Sequence, residues 1–213
     1  MPTTIDASKL LRAGLLQGVR MLVATPALEG AAGDRAELAA AISSACAGLG
    51  ASVSGWTPGD EVALDVDRLV VDAAAPFAQA SGELDAQASR AALGACLDHA
   101  WEATRAVADT AFIEAGRAGR VVYLAPAPPA SAASGAMHAD AARAGLENLA
   151  RTLSIEWARY EVTLVTIAPG ERTSAAEVAA ATAYLASPAG AYFSGCLFDL
   201  RGLAGAGVAS GAA

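Results

Sequence analysis

The chain has 213 residues, of which 54% are hydrophobic and 5% aromatic, and its formal net charge is −8. This length suits one α/β domain with a full core. The acidic balance argues against a nucleic-acid partner, because phosphate binding requires clustered lysine and arginine. Apolar runs fall short of the ~20 residues of a membrane span, and the amino end lacks a basic and apolar leader. We therefore expect a cytoplasmic protein.

Short apolar runs alternate with helical patterns along the chain. Strands are predicted at 20–25, 51–56, 68–73, 119–126, 162–170 and 195–202, with a further short strand at 61–66. Helices are predicted at 34–49, about 84–118, about 138–160 and 174–188, and a turn at Thr57–Asp60. This alternation indicates βαβ units and a parallel sheet in one domain, residues 1–202. Residues 203–213 are small and of low complexity, and are expected to form a mobile tail or an arm that orders against a partner.

The cysteines and histidines give no metal or disulfide pattern. Cys46, Cys96 and Cys196 are widely separated in the sequence, and they are predicted to be small buried residues. His99 and His138 lie far apart on different predicted helices, so no metal site is predicted.

Four segments resemble the short-chain dehydrogenases/reductases. The resemblance is strongest at LENLARTLSIEWARYEVTLVTIAPG (146–170), which is similar to the helix, strand and Pro-Gly motif of that family. EVAAATAYLASPAGAYFSGCLFDLRG is similar to the family's next helix and its last strand. LLRAGLLQGVRMLVAT is similar to the segment that leads into its first strand. DRLVVDAAAP is similar to a strand that ends in Asn-Asn-Ala-Gly in the family, and Asp72-Ala73-Ala74-Ala75 stand at those four positions here. The resemblance covers most of the chain and implies a three-layer, Rossmann-like, doubly wound parallel sheet.

The cofactor loop of that family is not retained. The family places Gly-x-x-x-Gly-x-Gly after its first strand, where the backbone approaches the dinucleotide pyrophosphate. Here Gly30 and Gly33 are the only glycines between Gly18 and Gly48, and Asp34 adds negative charge. Gly30 and Gly33 are interpreted as glycines that supply turn geometry, or as a vestigial phosphate loop. We therefore predict no cofactor, and the alternative is weak binding of NAD or NADP.

The catalytic positions differ as well. Ungapped alignment places Pro126 at the family's serine, Ala139 at its tyrosine, Arg143 at its lysine and Cys96 at its asparagine. Alanine and proline side chains carry no proton donor, and a guanidinium does not join a proton relay. His138 beside Ala139 is interpreted as a surface histidine rather than a substitute acid.

The substrate lid is predicted to be missing. The family has a long segment between its Pro-Gly motif and the helix that begins like EVAAA, whereas here ERTSAA alone separates Gly170 from Glu177. Such a short connection does not cover a substrate. The region between the second strand and the one at 68–73 is also short, so a covering helix is expected to be absent from one face.

The elements that remain are those that build subunit interfaces in the family. The resemblance implies that the two long helices pair with those of a second subunit. The candidate interface residues are Leu93, Leu97, Trp101, Leu146, Leu149, Leu153 and Trp157. The alternative is that these side chains cover this chain's own sheet.

The leading hypothesis is a non-catalytic subunit that assembles with an active short-chain dehydrogenase, as a heterodimer or heterotetramer, or with itself. The alternative is a divergent NAD(P)-dependent oxidoreductase that uses His138, Tyr123 or Tyr160 as its acid. A third hypothesis is a small-ligand sensor that uses the crevice at the carboxyl ends of the strands.

Overall fold

The computed structural model describes residues 7–26, 34–80, 86–128 and 133–201. Its strands are β1 (Arg20–Ala24), β2 (Ser52–Trp56), β3 (Arg68–Asp72), β4 (Gly119–Leu124), β5 (Val162–Ala168) and β6 (Cys196–Asp199). Its helices are α1 (Ala7–Leu10), α2 (Asp34–Gly48), α3 (Ala74–Ala80), α4 (Ala86–Val107), α5 (Ala133–Glu156) and α6 (Ala175–Ala186). A π-helical segment, Ala108–Glu114, continues α4, and short 3-10 turns follow α5 and α6 at Ala158–Tyr160 and Pro188–Gly190.

The six strands form one parallel sheet in the order β2-β1-β3-β4-β5-β6. Successive side chains of β1 enter opposite cores: Leu22 and Ala24 pack on the side of α4 and α5, whereas Met21 and Val23 pack on the side of α2 and α6. Both faces are covered, so the middle of a central strand is a continuous apolar run, as at Leu69–Val71 of β3. The predicted α/β, three-layer, doubly wound Rossmann-like sheet is therefore confirmed.

Most of the predicted elements are present, with two differences. Residues 61–66 form no strand, and β2 connects to β3 through residues 57–67 without a helix, as expected for a shortened sheet. The helix α3, which begins just after β3, was not predicted from the sequence. Its Ala75 N–H donates to the Asp72 carboxylate at 3.1 Å. That carboxylate satisfies a free donor of the first turn, where Pro76 is also tolerated.

Small residues let the two long helices pack closely on the sheet. The buried positions of α4 are mostly small residues: Ala92, Cys96, His99, Ala100, Ala103, Thr104 and Val107. At the start of β4, a Cβ on Gly119 would overlap the ring of Phe112 in the π-helical segment. Glycine is therefore required where this ring crosses the strand.

Two arginines on neighbouring strands hold the carboxyl end of α6. Arg120 donates to the Leu185 carbonyl at 2.5 Å and Arg68 to the Ala186 carbonyl at 2.7 Å. These carbonyls have no partner within the helix, so the guanidinium groups satisfy them and oppose the helix dipole. Burial lowers the pKa of Arg120 to about 10, with the nearby charge of Arg68 as a second cause.

No helix in the described part of the chain is long and apolar enough to cross a membrane.

Candidate functional site

A cleft of about 430 Å³ lies at the carboxyl ends of β4 and β5. The first turns of α2 and α6 close its other sides. Its walls are formed by Glu37, Leu38, Ala74, Leu124, Ala125, Ala127, Pro169, Thr173, Ser174, Ala175 and Val178. Open α/β sheets bind ligands at this edge, so this cleft is the candidate site.

The charges around the cleft do not favour an anion. Glu37 is the one charged side chain among the described lining residues. At the start of α6, Glu177 accepts hydrogen bonds from the Ser174 N–H at 2.7 Å and from its hydroxyl at 2.9 Å. The Ser174 hydroxyl in turn accepts from the Glu177 N–H at 3.3 Å, which completes a capping box. A carboxylate of the chain itself thus occupies the helix end that could otherwise hold a phosphate.

The residues at the family's catalytic positions are buried and carry little usable chemistry. Ala139 on α5 is fully buried, and Pro126 is buried just after β4. Cys96 on α4 is also fully buried, as predicted, and burial raises the pKa of its thiol to about 12, with the Asp72 charge adding to the shift. The thiol therefore stays protonated and packs as a small apolar group.

Arg143, at the lysine position, is bound within the chain. Its guanidinium donates to the Pro169 carbonyl and, at 2.8 Å, to the Asp140 carboxylate one turn earlier on α5. The side chain is 4% exposed, and burial lowers its pKa, which Asp140 partly offsets. The guanidinium of Arg201, two residues after β6, lies 3.5 Å from the same Asp140 oxygen. Arg143 thus ties α5 to the Pro-Gly motif.

The candidate substitute acids lie in three different places. The Tyr123 hydroxyl is 2.9 Å from the Thr104 hydroxyl inside the core, and burial raises the pKa of Tyr123. Tyr160 follows α5 and precedes β5, so it lies at the amino ends of the strands, whereas the cleft lies at their carboxyl ends. His138 is half-buried, with Nδ1 3.0 Å from the Ser89 hydroxyl on α4. The structure therefore does not bring the three together.

Gly30 and Gly33 lie outside the described residues, as does the tail at 203–213. The connection between β5 and α6 is described, and it consists of the six residues 169–174. A hydrogen bond from the Gly170 N–H to the Thr173 hydroxyl, at 2.8 Å, folds it into a tight turn.

The candidate interface residues divide into two groups. Leu146 is fully buried and Leu153 is 7% exposed, so both contact this chain's own core and neither is available to a partner. In the single chain these two fit the alternative stated above, that such side chains cover the chain's own sheet, because the α5 positions that face the sheet include 146, 150 and 153. Leu93, Leu97, Leu149 and Trp157 are half-buried at the edge of that core, and Trp101 is exposed.

Four side chains on the long helices or around Arg143 were not predicted from the sequence: Ile155, Asp140, Arg201 and the buried His99. Ile155 on α5 is exposed and joins Trp101 as a large apolar residue on the surface of the long helices. Asp140 and Arg201 were missed as partners of Arg143. The three-residue spacing of Asp140 and Arg143 on a helix could have indicated an ion pair, whereas Arg201 is brought there by the fold. His99 is 7% exposed and bonds to the Ala24 backbone, and its Nε2 has no partner among the described residues.

No protein-family model and no curated protein matches the chain. Solved structures do match. The citronellol catabolism dehydrogenase of Pseudomonas aeruginosa PAO1 is 21% identical with a TM-score of 0.67, over 92% of this chain and 97% of that one. The enoyl-[acyl-carrier-protein] reductase (NADH) of Aquifex aeolicus VF5 is 14% identical with a TM-score of 0.66, over 87% and 96%.

A third match is a protein from Beutenbergia cavernae named as an NAD(P)-dependent gluconate 5-dehydrogenase, with NADP bound at low occupancy. It is 22% identical with a TM-score of 0.62, over 86% of this chain and 95% of that one. At these identities the likeness concerns the fold. The chain therefore has the fold of the short-chain dehydrogenases/reductases.

Proposed function

We propose that this chain is a non-catalytic, short-chain dehydrogenase-like subunit that assembles with an active NAD(P)-dependent dehydrogenase/reductase and supports it. The position of Arg143 carries the proposal. Its guanidinium binds the Pro169 carbonyl and Asp140. A permanently charged group held in this way neither relays a proton nor is free to hold a ribose.

The side chains available to act as a general acid at the cleft support the same proposal. Ala139 and Pro126 have no donor, and Cys96 is buried with a raised pKa. Tyr123 is hydrogen-bonded inside the core, away from the cleft. General acid catalysis requires a donor within hydrogen-bond reach of the substrate. Among the described residues that line the cleft, the titratable side chain is Glu37, a carboxylate on α2.

The outer side of α4 and α5 supports a role in assembly. Trp101 is 41% exposed and Ile155 is 70% exposed. Leu97 lies one turn before Trp101 on α4 and packs against Gly145 of α5, where a Cβ would come within 2.9 Å of the Leu97 Cδ2. Tryptophan is enriched at the centres of protein interfaces. We propose that this side of the molecule binds the partner.

Purification of the tagged chain from its native source tests the proposal. We expect a stoichiometric short-chain dehydrogenase to co-purify, and we expect its turnover to fall when the chain is removed. A chain that is isolated as a stable monomer, and that leaves the turnover of every co-encoded dehydrogenase unchanged, would contradict the proposal.

A divergent oxidoreductase is the second candidate. The observation that favours it is the fold shared with structures named for NADH and NADP. Calorimetry with NAD, NADH and NADPH separates the two candidates. Weak or absent binding is expected for the non-catalytic subunit, whereas low-micromolar binding with turnover that disappears in His138→Ala would establish the enzyme.

A further inference from the structure

The chain leaves the described structure at the wall of the cleft. Leu200 N–H donates to the Ala168 carbonyl at 2.9 Å, which places β6 beside the end of β5. One residue later, the Arg201 Cα lies 3.0 Å from the position of a Cβ on Gly170. Gly170 follows Pro169, and its N–H donates to the Thr173 hydroxyl. Pro169 and Thr173 both line the cleft. The described part of the chain therefore ends at the mouth of the cleft.

We propose that residues 203–213, LAGAGVASGAA, bind in the cleft of their own chain and fill the space in which a cofactor or substrate would otherwise lie. This inference concerns the cleft alone, and it does not depend on the existence of a dehydrogenase partner.

The chemistry of the cleft matches this segment. The lining is mainly apolar, with Leu38, Leu124 and Val178 as its larger side chains and Glu37 as its charge. Residues 203–213 contain no charged side chain, and Leu203 and Val208 are their largest residues. An uncharged segment does not oppose Glu37, whereas a phosphate would.

The size and the reach are also compatible. A cleft of about 430 Å³ admits several alanine and glycine residues. Each extended residue spans roughly 3.3 Å, so five residues after Arg201 reach about 16 Å. Tethering raises the effective concentration of the segment at its own cleft to the millimolar range, which favours it over a second copy at dilute concentrations.

Disulfide trapping tests the proposal. The background variant is Cys196→Ser, because Cys46 and Cys96 are fully buried. In it, Ala127→Cys places a thiol in the exposed rim of the cleft and Ala206→Cys places one in the tail. The matched control pairs Ala206→Cys with Ala144→Cys. Ala144 is exposed on α5 one turn beyond Asp140, whose carboxylate lies 3.5 Å from the Arg201 guanidinium, so this position also lies near the point where the described chain ends.

We expect the cleft pair to form a disulfide within one molecule at least about ten times faster than the control pair, since the bond requires Cβ atoms within about 4.5 Å. Equal rates for the two pairs would overturn the proposal. Cross-linked dimers in place of cross-linked monomers would also overturn it, because a second copy would then be the occupant.

Deletion of residues 203–213 gives an independent measurement. Nile red, a neutral apolar dye, should bind the shortened chain with several-fold higher fluorescence than the full chain, and added LAGAGVASGAA peptide should displace it. Equal fluorescence of the two chains, or dye that the peptide does not displace, would refute the proposal.

Discussion

Trp101 provides the sharpest mutational test of the surface that we assign to the partner. A tryptophan side chain has an area of roughly 250 Å², and Trp101 is 41% exposed, so about 100 Å² of it faces water. Covering that area contributes about 2.5 kcal/mol to the free energy of association at about 25 cal/mol per Å². Trp101→Arg removes this contribution and should raise the dissociation constant of the assembly by about 70-fold.

Sedimentation velocity over a concentration series measures this change. Leu64→Arg is the matched control, since Leu64 is 63% exposed and belongs to the connection between β2 and β3 rather than to either long helix. The aliphatic stem of the new arginine should still cover the surface beneath Trp101, so both variants should stay folded. Circular dichroism and thermal melting verify this before the sizes are compared.

The reasoning fails if Trp101→Arg stays folded and assembles with the affinity of the unaltered chain. It also fails if Leu64→Arg dissociates the assembly equally, because the effect would then be a general consequence of added charge.

Three further predictions concern the fold. Leu146→Ala should lower the free energy of unfolding by about 2–5 kcal/mol in guanidinium titrations, because its side chain is fully buried. Gly119→Ala should lower it by about 1–3 kcal/mol, and Phe112→Leu in the same chain should recover part of that loss, because the new Cβ overlaps the Phe112 ring. Burial lowers the pKa of His99 from 6.5, so the folded chain favours the neutral ring. Stability should therefore be complete above pH 6.5 and decrease by up to about 1.4 kcal/mol per pH unit below it, and His99→Gln should remove this slope in urea titrations.

The order of strands and helices was predictable because apolar runs and helical periods alternate cleanly in the sequence. The helix α3 was not predicted, since its seven residues are mostly alanine and Pro76 is the last residue of the motif DRLVVDAAAP. Its signal was the acceptor at Asp72, which precedes the first turn. Leu146 and Leu153 show a different limit. Helical spacing identifies an apolar face, but it does not determine whether the chain's own sheet or a partner covers it.

The candidate site was predicted as a set of losses, and its actual contacts were not. Ungapped alignment placed Arg143 correctly on α5, and its pairing with Asp140 follows from helical spacing. Its bond to the Pro169 carbonyl joins residues 26 positions apart. That contact and the nearby Arg201 depend on how β5 and β6 end beside α5, which local sequence does not encode.

The most direct measurement of the proposed role compares the turnover of the co-purified dehydrogenase in three samples: the dehydrogenase alone, this chain alone, and the two at equal concentration. We expect no NADH- or NADPH-dependent turnover from this chain, and a higher rate from the mixture than from the dehydrogenase alone. Turnover by this chain alone, or a mixture no faster than the dehydrogenase by itself, would contradict a non-catalytic supporting subunit.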